Sequence, residues 1–401
     1  MSAVRRILST VSVALSVAGQ CCAYGAELLA EDAAGFRQAV AAAKPGTRIL
    51  LASGKYSGGF HFTGLRGTPE QPVVIGPADP SNPPVFEDGA SGLQLSDAEH
   101  VRIEGLVIRK MSGNGLNIDD GGSFDTPAKG IVLRRLRISD IGPARNNDAI
   151  KLSGVVDFRI EDCVLERWGT GGGSGIDLVG CHRGLIVSNV FRHTDTTGST
   201  GVQCKGGTTA VTIQHNRFES AGGRGVNIGG STGLQFFRPP LKPGGPHAEA
   251  KDIRVEANTF IGGGAPVAFV GVDGATVRFN TIYHPKRWAL RILQETREPG
   301  FVPARGGVFA DNLVVFDSRD WGEGGVNIGA GTAPESFTFA RNWWYCLDQP
   351  SRSQPRLPVP EEGGVYGKAP GFRDPEKGDL RQTEASPARS AGADAFRIQA
   401  R

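Results

Sequence analysis

The sequence predicts an all-β solenoid, a single-stranded right-handed parallel β-helix of about ten coils with a short N-terminal capping helix. Three observations predict it. Segments of one form recur at near-constant spacing; their strands are short and alternate apolar with polar side chains; and Gly or Asn marks the corners between them. Composition agrees, because 58 Gly and 25 Pro in 401 residues suit many short strands broken by turns rather than long helices.

The repeat is plainest in four segments. Residues 148–154 (DAIKLSG), 174–180 (SGIDLVG) and 200–206 (TGVQCKG) begin 26 residues apart, and 224–230 (RGVNIGG) follows 24 later. A second element trails each first one: 158–165 (FRIEDCVL), 185–191 (LIVSNVF), 212–218 (TIQHNRF), 253–260 (IRVEANTF), 276–282, 308–314 and 337–343. Strands this short cannot bury an apolar face alone, so coil must stack on coil to make a continuous core. Asn189, Asn216, Asn258, Asn280, Asn312 and Asn342 share one turn slot, which Leu136 and Cys163 take earlier. Such a column suits a structural ladder of side-chain amides bonded to the next coil's backbone. A propeller would need a longer period, and a leucine-rich repeat a Leu consensus that is absent.

The ends read differently. Residues 1–23 have Arg5 and Arg6, then an apolar run, then small residues near Cys21 and Ala23, which is the form of a secretory signal. The chain is therefore expected in the periplasm or secreted. Cys21 and Cys22 raise a lipid anchor, against which Gln20 stands where a small residue is expected. Residues 24–58 are expected to form an N-terminal cap, with 27–48 an amphipathic helix carrying Phe36 and Val40. The coils then span 59–348, a Pro-rich loop at 231–250 interrupts them, and 349–401 forms a C-terminal tail or cap. No later run is apolar enough to span a membrane. Cys163, Cys181, Cys204 and Cys346 are too few for a disulfide framework, and Cys163 and Cys204 fall at inward positions. A net charge of +3 gives weak support for an anionic partner and none for nucleic acid. With no exposed apolar patch legible, a monomer is expected.

Alternation along the first strands sends one column outward: Asn117, Lys151, Asp177, Gln203, Asn227, Arg291 and Asn327. The next outward column holds Ser153, Val179, Lys205 and Gly229. Lys205 and Arg224 sit one coil apart and are expected on one face within about 10 Å, given a strand spacing near 4.8 Å. Arg238 and Lys242 lie on the adjoining loop. This cationic cluster suits an acidic ligand, since Arg matches a carboxylate with two prongs. A Lys among cations can also serve as a base. His193, His215, His247 and His284 show no metal-binding spacing. Asp119, Asp120, Asp125, Asp148 and Asp177 could supply oxygens to Ca²⁺, although they form no tight motif. Asp148 and Asp177 also keep glycoside hydrolysis open.

The segments PGTRILLASGKYSGGFHF, GTPEQPVVIGPADPSNPPVFEDG and LQLSDAEHVRIEGLVIRK, with APGFRDPEKGDLRQTEASPARSAGAD near the end, resemble the right-handed β-helix carbohydrate-active proteins. The resemblance is to the polysaccharide lyases that include chondroitinase B and some alginate lyases. It implies β-elimination on a uronic-acid polysaccharide, with Lys205 as base, Arg224 assisting, and Ca²⁺ as a possible cofactor. Lys151, Asp177, Gln203, Asn227 and Arg238 would then line the sugar groove. A glycoside hydrolase and a non-catalytic carbohydrate-binding solenoid remain the alternatives.

Overall fold

The computed structural model describes residues 25–194 and 198–399. The signal-like segment, with Cys21 and Cys22, lies outside them. The chain winds through three long parallel sheets of 13, 10 and 12 strands, a central coil typically adding one strand to each. The strands of the ten-stranded sheet are numbered here by coil: β1 Phe60–Thr63, β2 Leu93–Ser96, β3 Leu116–Asp119, β4 Ile150–Ser153, β5 Ser174–Val179, β6 Thr200–Lys205, β7 Arg224–Gly229, β8 Ala265–Val270, β9 Leu290–Leu293 and β10 Val326–Ile328. Its register matches the alignment drawn from sequence: Asn117 pairs with Lys151, Lys151 with Asp177, Asp177 with Gln203, Gln203 with Asn227, and Arg291 with Asn327. Ala268 fills the one place in the column between Asn227 and Arg291.

The core is a stack of like side chains. Phe191, Phe218 and Phe260 lie over one another, with ring centroids 4.5 and 4.6 Å apart. This stack explains the Gly that opens the repeated segments. A Cβ on Gly201 would sit 3.0 Å from the Phe218 ring and 2.4 Å from the Gly225 carbonyl oxygen. The asparagine column is the ladder that the sequence suggested. Asn216 Oδ1 accepts from the backbone N–H of Asn189 at 2.9 Å and from its Nδ2 at 3.0 Å, and Asn258 does the same for Asn216. Each asparagine follows a residue in the left-handed conformation, such as Ser188, His215 or Ala257, so the corner turns in two residues. Buried amides that would otherwise be orphaned are satisfied from coil to coil. Glu361 ends the ladder, accepting from the backbone N–H and Nδ2 of Asn342.

The N-terminal segment departs from expectation. The helix is shorter, α1 Ala33–Ala42, capped by Asp32 Oδ1 on the Gly35 N–H at 2.7 Å. Glu27–Ala30 and Arg48–Leu51 are parallel strands of the 13-stranded sheet. Residues on both sides of the helix thus alternate like strands and pair into the solenoid, and the coil architecture starts before residue 59. Phe36 covers the first coil against Tyr56, Phe60 and Phe86, at centroid distances of 6.4, 5.1 and 6.0 Å. At the other end Val365–Tyr366 pairs with the last strand of the 12-stranded sheet. The chain then runs back down that sheet's outside. Arg217 donates to the Gly378 carbonyl at 3.2 Å, and the Ala393 N–H donates to Thr281 Oγ1 at 3.0 Å.

Candidate functional site on the ten-stranded sheet

The outer face of the ten-stranded sheet gathers the charged residues of the predicted column. Lys151 on β4 stands between two buried carboxylates, with its Nζ 2.6 Å from Asp177 Oδ2 and 3.3 Å from Asp148 Oδ2. Lys205 on β6 approaches the same Asp177 from the other side, at 3.3 Å from Oδ1. That contact is an ion pair without hydrogen-bond alignment, so Asp177 Oδ1 keeps accepting capacity. Asp148 Oδ1 also accepts the Ser174 N–H at 2.7 Å, which fixes the carboxyl at the entry to β5. The four residues form one chain of alternating charge across three coils.

Their electrostatics follow from burial. Asp148 and Asp177 are only 3 % and 2 % exposed. Burial pushes the Asp148 carboxyl up to about 7, and the nearby Asp177 carboxylate adds to the push against Lys151. Burial alone would lower Lys151, but the Asp177 and Asp148 carboxylates outweigh it and hold the ammonium above its ordinary range.

Arg224 requires a correction. It lies on the same face as Lys205, but at the opposite end of its strand. Thr200 pairs with Arg224, and Cys204 with Ile228, which sets Lys205 level with Gly229. Five residues of strand separate the two levels, roughly 16 Å at about 3.3 Å per residue. The coil and the sheet are as expected, and the closeness to Lys205 is not. Arg224 instead donates to Asn227 Oδ1 at 3.0 Å and pairs with Glu295 at 2.7 Å. Gln203 stays half-buried in the column, within 3.5 Å of the Ser174 hydroxyl. Asn227 is 1 % exposed, its Nδ2 donating to the Gly229 carbonyl at 3.1 Å, so it does not line an open groove.

Arg238 also changes role. The 231–249 loop leaves β7 and passes back over earlier coils. The Arg238 N–H bonds the Gly206 carbonyl at 3.0 Å, and its side chain crosses Gly180 and Gly154, where a Cβ would collide with it. The guanidinium ends on both oxygens of Asp120, whose side chain is fully buried. Its donors are thus used to pin the loop, not turned to the groove. The loop makes a side wall beside Lys205, with Leu234 and Phe236 exposed on it. Glu249, which the sequence reading passed over, anchors the other end of this loop. Its fully buried carboxylate accepts from the backbone N–H groups of Gly206 and Thr232 and from the hydroxyls of Thr232 and Thr296. A lone Glu at a loop end gives no periodic signal, so only the fold reveals it.

The acidic residues do not converge on a cation. Asp120 is held by Arg238, Asp148 and Asp177 by Lys151, and Asp119 by Gln94, Asn117 and the Gly121 N–H. Among the described residues no three of His, Cys, Asp and Glu gather at a metal position. This donor set does not fit Ca²⁺. Cys163, Cys181, Cys204 and Cys346 are buried and unbridged, and burial raises the Cys163 thiol to about 12. His193 Nε2 donates to the Trp168 carbonyl and its Nδ1 accepts from the Thr194 N–H, away from this face, and His215 lies against Phe396.

The fold defines the class: a right-handed parallel β-helix, here with a column of charged side chains on the outer face of one sheet. Residues 85–237 match the family described as right handed beta helix region. Among solved structures, the chain is similar to an alginate lyase from Paenibacillus sp. str. FPU-7, with 18 % identity and a TM-score of 0.50 over 77 % of this chain and 99 % of that one. The PL6 family alginate lyase AlyGC gives 15 % identity and a TM-score of 0.49 over 92 % of this chain, which spans 56 % of that protein. The A-module of the mannuronan C-5 epimerase AlgE4 from Azotobacter vinelandii gives 15 % and 0.49, over 77 % of this chain and 94 % of that one. Comparison with curated protein sequences finds no match. No helix among the described residues is long and apolar enough to cross a membrane.

Proposed function

We propose that the protein is an exported polysaccharide lyase that cleaves a uronic-acid polysaccharide by β-elimination on the outer face of the ten-stranded sheet. One observation carries this reading: Lys205 and Lys151 flank the buried Asp177 on that face, two amines positioned by one carboxyl group. Lys205 is the base. In its neutral form Nζ takes the proton next to the sugar carboxylate; the C4–C5 double bond forms as the bond to the C4 oxygen breaks, and the leaving oxygen takes a proton from the Lys205 ammonium so formed. Lys151, kept cationic by Asp177 and Asp148, faces the negative charge that grows on the sugar carboxylate. Asp177 orients both amines. Arg224 stands too far along the strand to assist Lys205. The shared fold with an alginate lyase supports the reading, and the signal-like N-terminus supports export.

A second reading has its own observation. Asp148, held protonated up to about pH 7, shares Lys151 with Asp177. A carboxylic acid beside a carboxylate is what glycoside hydrolysis uses. The deciding experiment mixes the purified protein with alginate, pectate and glycosaminoglycans and follows near-ultraviolet absorbance together with reducing ends. Absorbance that disappears in Lys205→Ala establishes the lyase. Reducing ends without absorbance, lost in Asp148→Asn, establish the hydrolase. Binding with neither signal leaves a carbohydrate-binding solenoid.

A further inference from the structure

We infer that the groove is closed at its β7–β8 end, so the protein works from a chain terminus and releases products of one or two sugars. This rests on the groove proposed above and adds the direction and length of its substrate.

The outward column is partly open on β1 to β4 and at β6, is covered at β5, where the two lysine amines bracket Asp177 at 2 % exposure, and is shut again at β7 and β8. His61 on β1 is exposed, and Gln94, Asn117, Lys151 and Gln203 on β2, β3, β4 and β6 are half-buried. Asn227 on β7 falls to 1 %, and Ala268 and Val270 on β8 to 0 %, although their register places them on the outer face. The Gly229–Gly230 backbone lies against Asn227, and the Arg224–Glu295 ion pair spans the neighbouring coils. Arg224 sits at the start of β7, while Glu295 follows the end of β9, two coils on and at the other end of the strands. They can meet at 2.7 Å only by crossing the face of β8. The crossing is braced from both sides. Arg224 also donates to Asn227 Oδ1, and Thr296, next to Glu295, bonds the buried Glu249. The Gln294 amide holds the Thr296 carbonyl at 2.7 Å. Beyond it Arg291 turns away, bonded to Asn327 Oδ1 at 2.9 Å and stacked on Trp288 at 4.3 Å.

Lys205 lies one coil before this barrier and Asp177 two coils before it. Coils stack about 4.8 Å apart, close to the length of one sugar unit. No more than one or two sugars fit between the amines and the wall, whereas the groove continues past β4 toward β1.

The test is the size of the first products. Wild-type protein is incubated with sodium alginate and with polygalacturonate, and products are separated by size from the earliest times, with viscosity followed in parallel. One- and two-sugar products from the start, with slow loss of viscosity, are expected. Glu295→Ala, with Glu295→Gln as the variant that keeps side-chain volume, is expected to add products of three sugars and more. A ladder of long oligomers and rapid thinning in the wild type would overturn the closed end while leaving the lyase or hydrolase reading intact. Absence of any product on these two polymers and on glycosaminoglycans would overturn the proposed function and this inference with it.

Discussion

Lys205 Nζ lies 3.3 Å from Oδ1 of Asp177, one coil earlier on the same sheet, and Asp177 is in turn 2.6 Å from Lys151. The candidate chemistry therefore belongs to a chain of charges spread over three coils. No single strand contains it.

If Lys205 is the base, Lys205→Ala is expected to lower turnover by roughly 10²- to 10⁴-fold, the usual worth of a positioned proton acceptor. The melting temperature should change little, because a half-buried amine leaves no core cavity. Absorbance at the unsaturated product band and a thermal melt check both halves. A variant that keeps full activity refutes the assignment.

Asp148 makes stability depend on pH in a defined direction. Its carboxyl is raised from its usual acidic value to about 7, so between about pH 4 and 7 the folded state binds more protons than the unfolded state. Its contribution is present at low pH and is lost as pH rises through that window. The buried His182 and the half-buried His193 and His284 are lowered by burial and act in the opposite sense. Wild type is therefore to be compared with Asp148→Asn. The difference in melting temperature should shift steadily in favour of the Asn variant between pH 4 and 7, and a constant difference would contradict the buried acid.

The ladder should fail at its middle. Asn258 Oδ1 accepts from both the backbone N–H and Nδ2 of Asn216, and its own Nδ2 donates to the Ile213 carbonyl. Asn258→Ala leaves buried groups unpaired in two coils at about 1–3 kcal/mol for each. Denaturant unfolding should show a loss of at least 2 kcal/mol, about the cost of two such groups.

Arg238→Ala strips the only cation from buried Asp120 among the described residues. Breaking a buried pair on one side costs about 3–5 kcal/mol. The 231–249 loop should then be cut early in limited proteolysis while the coils resist. Equal protease resistance in variant and wild type would show that the pair does not pin the loop.

The coil register was readable because period and alternation were enough. Residues 26 apart, such as Lys151 and Asp177, become vertical neighbours whatever surrounds them. The asparagine ladder was readable for the same reason, since one turn slot repeated six times. The short strands beside α1 were read as helix because the Ala-rich stretch 33–43 favours helix and was extended outward over its neighbours, while pairing with the 13-stranded sheet decides otherwise. The partnership of Arg224 was not readable: its contact is Glu295, 71 residues away, brought over by a loop with no repeat.

Sequence by itself determined the solenoid, its sheet-facing columns and the coil in which each charged residue sits, because stacking of like strands needs only a repeating pattern of apolar side chains. Tertiary structure alone decided which charges touch, that Asp148 is a buried acid, and that Arg224 and Arg238 serve as wall and anchor. Those outcomes depend on where non-repeating loops fold back and on how far they exclude water, and neither is encoded in a local period.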